Sequence, residues 1–480
     1  MLMIRLAEVV GMELWTAWFN AVAGLRPACA RWRTFAWMVV VLLGLSLRPE
    51  LAGVTSIVRV LDLAPALYLR LLALFHSRGL KLPALTELWV RWCRQAFAPI
   101  QVGSSLLCLA DGLKVAKEGR KMPAVKKLHQ SSDNNSKPPF IFGHSLQVLC
   151  LLAGGPAGHA TAVPLAAGIH EGVVWSNRDQ RTLLDKLVLL FLPIAQTLAQ
   201  PVILIADAYY ASRKIILPLL AAGHQLISRA RTNAVAYWPA PAPHKRRRGR
   251  PRRYGQHVKL RSLFQQREHF TTIPSPVYGE HHGEIAYRVV DLLWRPVGRL
   301  VRFVLVTHPQ RGSIILMCTD LQLAPVDIII LYAYRYKIEL SFRHALHVIG
   351  TYAYHFWMMA MTPLRRVSGN QYLHRKDASY RTAVRRKLHA YHAHIQLGCI
   401  AQGLLQYLAL YFSTTVWQSF GSWLRTMKLD LPPSELVVAH ALRSTLSDFL
   451  RIGPADVKLR KFLTRICHST EPLRDRQMAA

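Results

Sequence analysis

The sequence predicts an α/β protein: a mixed sheet with flanking helices, interrupted by a β-rich insertion, with helical N- and C-terminal regions. Three observations predict it. Leu106-Leu107-Cys108-Leu109-Ala110 and Val202-Ile203-Leu204-Ile205-Ala206 are apolar runs with the length and branching of strands buried on both faces, followed by Asp111 and Asp207. Strand and helix patterns alternate between and just after them. Outside that zone, apolar residues recur at three- and four-residue spacing in a basic background. An ionised carboxylate at the end of a buried strand is costly unless something pairs with it. With 26 acidic residues against 61 basic ones, two such placements call for a common explanation. If the strands are parallel neighbours, their carboxylates sit side by side. A divalent cation would relieve the repulsion, and Mg²⁺ prefers such hard oxygen ligands.

In chain order, residues 1–98 read as short basic helices, broken near Pro27, at Arg48-Pro49-Glu50 and at Gly79. This suits a helix-turn-helix DNA-binding module, and equally a helical bundle with a basic outer face. Residues 99–231 hold the first part of the core. A strand at 104–111 leads to a basic loop, Glu118 to Lys127, and an irregular polar turn, His129 to Pro139. Strands Phe140 to Ala153 and Thr161 to Ile169 follow, then a helix from Asp179 to Leu198. The 202–207 strand, a helix from Tyr209 to Ala222 capped by Gly223, and a strand from Gln225 to Arg231 complete this part. Three strands, helix, strand, helix, strand is the order of an RNase H-like fold. In that order the first and fourth strands are neighbours, as the two aspartates require.

Residues 232–321 form a Pro-rich linker and the run Lys245-Arg246-Arg247-Arg248-Gly249-Arg250-Pro251-Arg252-Arg253, then short alternating segments expected to sit over a site. Residues 322–357 return to the core with a helix from Pro325 to Ile349, closed by Gly350. At 100° per residue, Leu331, Ile338, Phe342, Ala345 and Ile349 make its apolar stripe. Tyr332, Arg335, Glu339 and Arg343 make a polar stripe beside it. Residues 358–480 are again basic and helical.

The formal charge of +35 points to a polyanion, nucleic acid before an anionic membrane surface. The best membrane-span candidate, Phe35 to Leu47, is flanked by Arg33 and Arg48 and falls short of the about 20 residues a span needs. It reads as a buried helix. The first ten residues lack the layout of a secretory signal. Seven scattered cysteines without a C-x-x-C pair argue against zinc ribbons and disulfide frameworks and for a reducing cytosol. His389-x-x-His392-x-His394 has metal-like spacing, but no carboxylate or cysteine joins it, and it is set aside.

The motifs Asp111-Gly112-x-Lys114, His129 to Lys137 leading to Gly143-His144, Asp207-Ala208-Tyr209-Tyr210, Arg229-x-Arg231-x-Asn233-Ala234-Val235, Arg248-Gly249-Arg250-Pro251-Arg252-x-Tyr254-Gly255 and Tyr332-x-x-Arg335-x-x-x-Glu339 occur in that order. Together they resemble the bacterial insertion-sequence transposases of the DDE (Asp-Asp-Glu) cut-and-paste type, with an RNase H-like catalytic core. The resemblance implies Asp111, Asp207 and Glu339 as catalytic and metal-binding residues. It also implies two-metal phosphoryl transfer with Mg²⁺, for which Mn²⁺ can substitute. Asp111 would bridge both ions, with Asp207 on one and Glu339 on the other. The chain would then nick insertion-sequence ends, release them by hairpin formation or hydrolysis, and join them to target DNA. Partners would be terminal inverted repeats and target DNA, with a homodimer in the synaptic complex and no membrane. The setting would be bacterial cytoplasm, at the nucleoid.

DNA contacts are expected from Tyr332, Arg335 and Arg343, and from Lys245, Arg246, Arg247, Arg248, Arg250, Arg252 and Arg253. The run also resembles an AT-hook, which inserts arginine into a narrow minor groove. One departure stands out: the family's Lys seven residues after the Glu is Leu346 here. Arg343, one turn away on the same stripe, could substitute. Trp294 either packs in the core or stacks on an unpaired base, as an insertion aromatic does in related transposases. Against an active transposase stand two alternatives: a DNA-binding protein derived from one after catalysis was lost, and a stand-alone metal-dependent nuclease. Arg335 and Glu339 as an ordinary exposed i,i+4 pair on a solvated helix is the plain alternative for the last motif.

Overall fold

The computed structural model describes residues 2–51, 53–130, 138–241, 252–277, 283–425, 427–452 and 456–467. It divides into two compact units. The first comprises Met1–Ile100, Gly112–Gln180 and Glu339–Ala480, and the second Gln101–Asp111 and Arg181–Ile338.

The chain opens with helices α1 (Leu2–Ala23), α2 (Trp32–Leu47), α3 (Val54–Val60), α4 (Tyr68–Phe75) and α5 (Leu82–Ala96). Strands β1 (Ala98–Pro99), β2 (Gln101–Val102), β3 (Ser105–Ala116), β4 (Lys126–His129), β5 (Phe140–Gly154), β6 (Ala160–Ile169) and β7 (Val173–Val174) follow. Then come α6 (Leu183–Leu198), β8 (Val202–Ala206), α7 (Arg213–Ala221) and β9 (Gln225–Arg229). The next stretch holds β10 (Val235–Pro239), β11 (Tyr254–Lys259), β12 (Thr271–Pro274), β13 (Glu284–Trp294), β14 (Arg299–His308) and β15 (Gly312–Cys318). After α8 (Pro325–Ala333), α9 (Tyr336–His344) and β16 (Gln371–Tyr372), the chain ends in α10 (Ala378–Tyr411), α11 (Ser413–Phe420), α12 (Glu435–Ile452) and α13 (Val457–Ile466).

In the first unit, β5 pairs antiparallel with β1, β4 and β6. The middle of β5 and nearly all of β6 are buried, as continuous apolar runs require. Long α10 lies along β6, and Gln396 Nε2 donates to the Leu165 carbonyl at 3.0 Å. Trp89 of α5 donates to the Pro164 carbonyl at 2.9 Å. The two ends of the sequence share this core. Trp15 of α1 stacks on Phe449 of α12 with centroids 5.0 Å apart, and its Nε1 donates to Thr445 Oγ1 at 3.0 Å. The apolar stretch from Phe35 is α2, buried within the unit. Among the described residues no single helix is long and apolar enough to cross a membrane.

The second unit is a mixed sheet with helices against it. Its β3 residues run parallel to β8, and β8 parallel to β9. Beyond β9 the order continues antiparallel through β15, β14, β13, β10 and β11. The segment expected to sit over a site therefore extends the sheet, with β15 hydrogen-bonded to the edge of β9. Helix α6 starts on a reciprocal capping box between Thr182 and Asp185.

Two of the element boundaries that differ from the sequence reading bear on the site. Strand β3 runs past Asp111 to Ala116, fully buried over 106–110 and alternating afterwards. The single helix expected from Pro325 to Ile349 is three pieces: α8, α9 and a π-helical turn, Ala345–Ile349. At the first break Tyr334, Arg335, Lys337 and Ile338 donate to carbonyls three residues back, so the backbone tightens there. Between Ile328 and Ile338 stand four isoleucines and three tyrosines, side chains that lose rotamer freedom in a helix and hold it weakly. Periodicity alone hides this, because the apolar stripe stays in phase: Leu331, Ile338, Phe342, Ala345 and Ile349 are all buried.

Candidate active site

The site builds from strand register. Leu106 to Ala110 of β3 pair with Val202 to Ala206 of β8 in parallel, ending on Ala110 opposite Ala206. Asp111 and Asp207 are the next residues on each strand. Neighbouring strands lie about 5 Å apart, so the register sets the two Cα atoms at roughly that separation. Both carboxylates are half-buried. Asp207 stands where a helix-capping side chain would, ahead of a short turn at Ala208–Tyr210, yet makes no side-chain cap bond. Its carbonyl is held instead, accepting from Ser228 Oγ at 2.9 Å and the Tyr210 amide at 2.9 Å. The plain capping role for this aspartate is thereby set aside.

Arg335, just past the end of α8, reaches Asp111, with Nη1 3.1 Å from Oδ2. The two side chains are 23% and 21% exposed, shielded enough for the charge contact to matter. Tyr332, one turn back, lies among the same groups. Burial raises its phenol above the ordinary range; the nearby charges of Asp207 and Asp111 add to the rise, while Arg335 and Arg229 oppose it. Arg229 is the residue the sequence reading passed over. It ends β9, two positions beyond the Ile205–Ile227 pairing, which puts it level with Asp207 on the next parallel strand. The Arg229-x-Arg231 motif held that signal, but strand adjacency is needed to read it. Asp111, where β3 leaves its pairing with β8, Asp207 just past the end of β8 and Arg229 at the end of β9 thus set carboxylate, carboxylate and guanidinium in a row.

Glu339 and Arg343 are both exposed on α9, and the division between the units falls just before Glu339. Leu346 is half-buried in the π-helical turn. Lys245, Arg246, Arg247, Arg248 and Arg250 lie outside the described residues. Arg252 and Arg253 are exposed just ahead of β11. Trp294 is 8% exposed, so it packs in the core and presents no face to a base. Of the set-aside histidines, His394 is buried and His389 and His392 are half-buried. His392 accepts from the Ile169 amide, His394 donates to the Thr351 carbonyl, and burial pushes their pKa values down to about 4 and about 3.

Two aspartates side by side where the β3–β8 pairing ends are the donors a hard divalent cation prefers, and a guanidinium on one of them shows a demand for positive charge there. Among the described residues, no group of three or more His, Cys, Asp or Glu side chains is placed to hold a metal ion.

Comparison with known families finds a transposase DDE domain over residues 158–350. Asp207, Tyr332, Arg335, Glu339 and Arg343 fall inside that stretch, and Asp111 lies ahead of it. No curated protein matches the chain.

Proposed function

We propose that this chain, whose residues 158–350 match the transposase DDE domain family, is a DNA transposase that cleaves insertion-sequence ends and joins them to target DNA. The observation that carries the reading is the parallel pairing of β3 with β8, which delivers Asp111 and Asp207 side by side. The adjacency of strands 3, 8 and 9 also supports an RNase H-like core for the catalytic part. Asp111 and Asp207 would hold divalent metal, Mg²⁺ or Mn²⁺, with Glu339 as third carboxylate on the strength of its sequence motif. Such ions supply activation of water or a 3′-hydroxyl and stabilisation of the leaving oxygen. Arg335 balances the charge of Asp111 before DNA and metal arrive, and Arg229 and Tyr332 border the place a scissile phosphate would occupy. Arg343, exposed one turn after Glu339, takes the phosphate contact that Leu346 cannot make.

The test is supercoiled plasmid carrying the element's own inverted repeats, incubated with and without Mg²⁺. End-specific nicking followed by joining is expected from the natural chain. Asp207→Ala is expected to abolish cleavage while DNA binding stays intact or tightens. Cleavage by that variant would overturn the assignment. A second reading, a DNA-binding derivative that has lost catalysis, is favoured by the apolar Leu346, and binding without cleavage by the natural chain would establish it. Sequence-blind degradation would mark a stand-alone nuclease.

A further inference from the structure

Helix α9, which carries Glu339, spans only Tyr336–His344, with a tightened turn before it and a π-helical turn after it. Continuity with α8 therefore does not fix its rotation. Phe342, Ala345 and Ile349 bury its apolar face, but apolar contacts are non-directional and leave rotation and slide soft. Direction comes from polar side chains on distant parts of the chain. Gln402 of α10 donates through Nε2 to the Ser341 carbonyl at 3.0 Å and to Ser341 Oγ at 3.1 Å, all buried. Glu435, the first residue of α12, pairs through Oε2 with His344 Nδ1 at 2.7 Å. The other Glu435 oxygen accepts from Gln406 Nε2 at 3.1 Å. Beyond the π-helical turn, the Arg48 guanidinium at the end of α2 donates to the Ile349 carbonyl and, at 3.0 Å, to the Gly350 carbonyl.

Glu435 is 6% exposed. A carboxylate so buried persists only with its oxygens satisfied, and here one partner comes from α9 and the other from α10. Buried as they are, Gln402, Gln406 and Glu435 are out of reach of DNA phosphates.

We infer that Glu435 is a positioning residue for Glu339, acting through His344, with Gln402 and Arg48 holding the same segment on either side. The N- and C-terminal helical regions then orient the third carboxylate in addition to any DNA contacts they make. This rests on the reading of Glu339 as a catalytic carboxylate.

The test compares Glu435→Ala, His344→Ala and His344→Gln with the natural chain, and Asp207→Ala in parallel. The readouts are single-turnover cleavage at saturating Mg²⁺, DNA affinity, and amide hydrogen exchange of residues 339–345 in metal-free protein. Misplacement of a catalytic group by an ångström costs up to about a hundredfold, so both alanine variants are expected to lose at least about tenfold in cleavage with DNA affinity unchanged. Exchange should rise in 339–345 and stay unchanged in β5 and β6. His344→Gln keeps a donor to Glu435 and is expected to recover most of the rate and the protection. Unchanged cleavage and exchange in Glu435→Ala would overturn the inference. So would exchange rising throughout the first unit with no recovery in His344→Gln, which marks a merely structural pair. Cleavage by Asp207→Ala would instead overturn the functional reading, leaving local exchange to judge the clamp.

Discussion

At the residue scale, the contact between Arg335 and Asp111 has a consequence for metal dependence. Two aspartates side by side where parallel β3 and β8 stop pairing repel each other, and the guanidinium offsets that repulsion in the metal-free protein. Arg335→Ala is expected to lower metal-free stability by about 1 kcal/mol, in keeping with a partly shielded pair. Added Mg²⁺ should restore the loss, because a divalent ion supplies the missing positive charge. Thermal unfolding with and without Mg²⁺ checks this, and a Mg²⁺-induced rise in Tm no larger than in the natural chain would contradict it. Gly350 illustrates a different dependence. Its φ is +66°, and a Cβ there would meet the Arg48 guanidinium at 2.5 Å. Gly350→Ala combines left-handed strain of about 1 kcal/mol with displacement of a buried charge, so a loss of about 2 kcal/mol or more in denaturant unfolding is expected.

At the element scale, the pair between α9 and α12 makes stability depend on pH. Burial alone would lower the pKa of His344, but the hydrogen bond to Glu435 and its negative charge outweigh this and raise it above 6.5. The sign follows. The pair's contribution is fully present below the ordinary 6.5 of an unfolded histidine and is lost as pH rises through the raised folded value. His344→Gln should flatten that part of the stability-against-pH curve, and an unaltered slope from about pH 6.5 upward through the raised folded value would refute it. The legible parts of the molecule were those with strong local signals. Unbroken apolar runs gave β3 and β8, and the alternating segments gave β13, β14 and β15. Asp111 and Asp207 were legible because their cost in a buried strand demanded a partner. The break at Tyr334 was not, since a stripe of apolar residues keeps its phase through one tightened turn. Arg229 and Glu435 were hidden for another reason. Their partners lie on other elements, and a polar residue on a single element looks the same whether it faces water or a carboxylate.

At the scale of the whole molecule, the first helix packs against α12 and the last against α2 and α12, so the terminal regions belong to one compact unit. The basic run from Lys245 to Arg253, by contrast, sits between strands β10 and β11, which pair antiparallel. The Ala240 amide donates to the Arg253 carbonyl at 3.1 Å, which ties the Arg253 end of the run to the strand pair. Arg252 and Arg253, exposed beside that strand pair, can meet DNA phosphates while the sheet stays unchanged. Each phosphate neutralised releases counterions and steepens the salt dependence of binding by about 0.9 in the log–log slope. Arg252→Ala with Arg253→Ala is therefore expected to flatten that slope by up to about 2, equally for inverted-repeat and unrelated DNA, because phosphates carry no sequence. Filter binding across a salt series measures it. A slope that stays the same would show that these two arginines face solvent. A loss confined to A·T-rich sites would show minor-groove insertion of the kind an AT-hook makes, with sequence preference then residing partly in this hairpin.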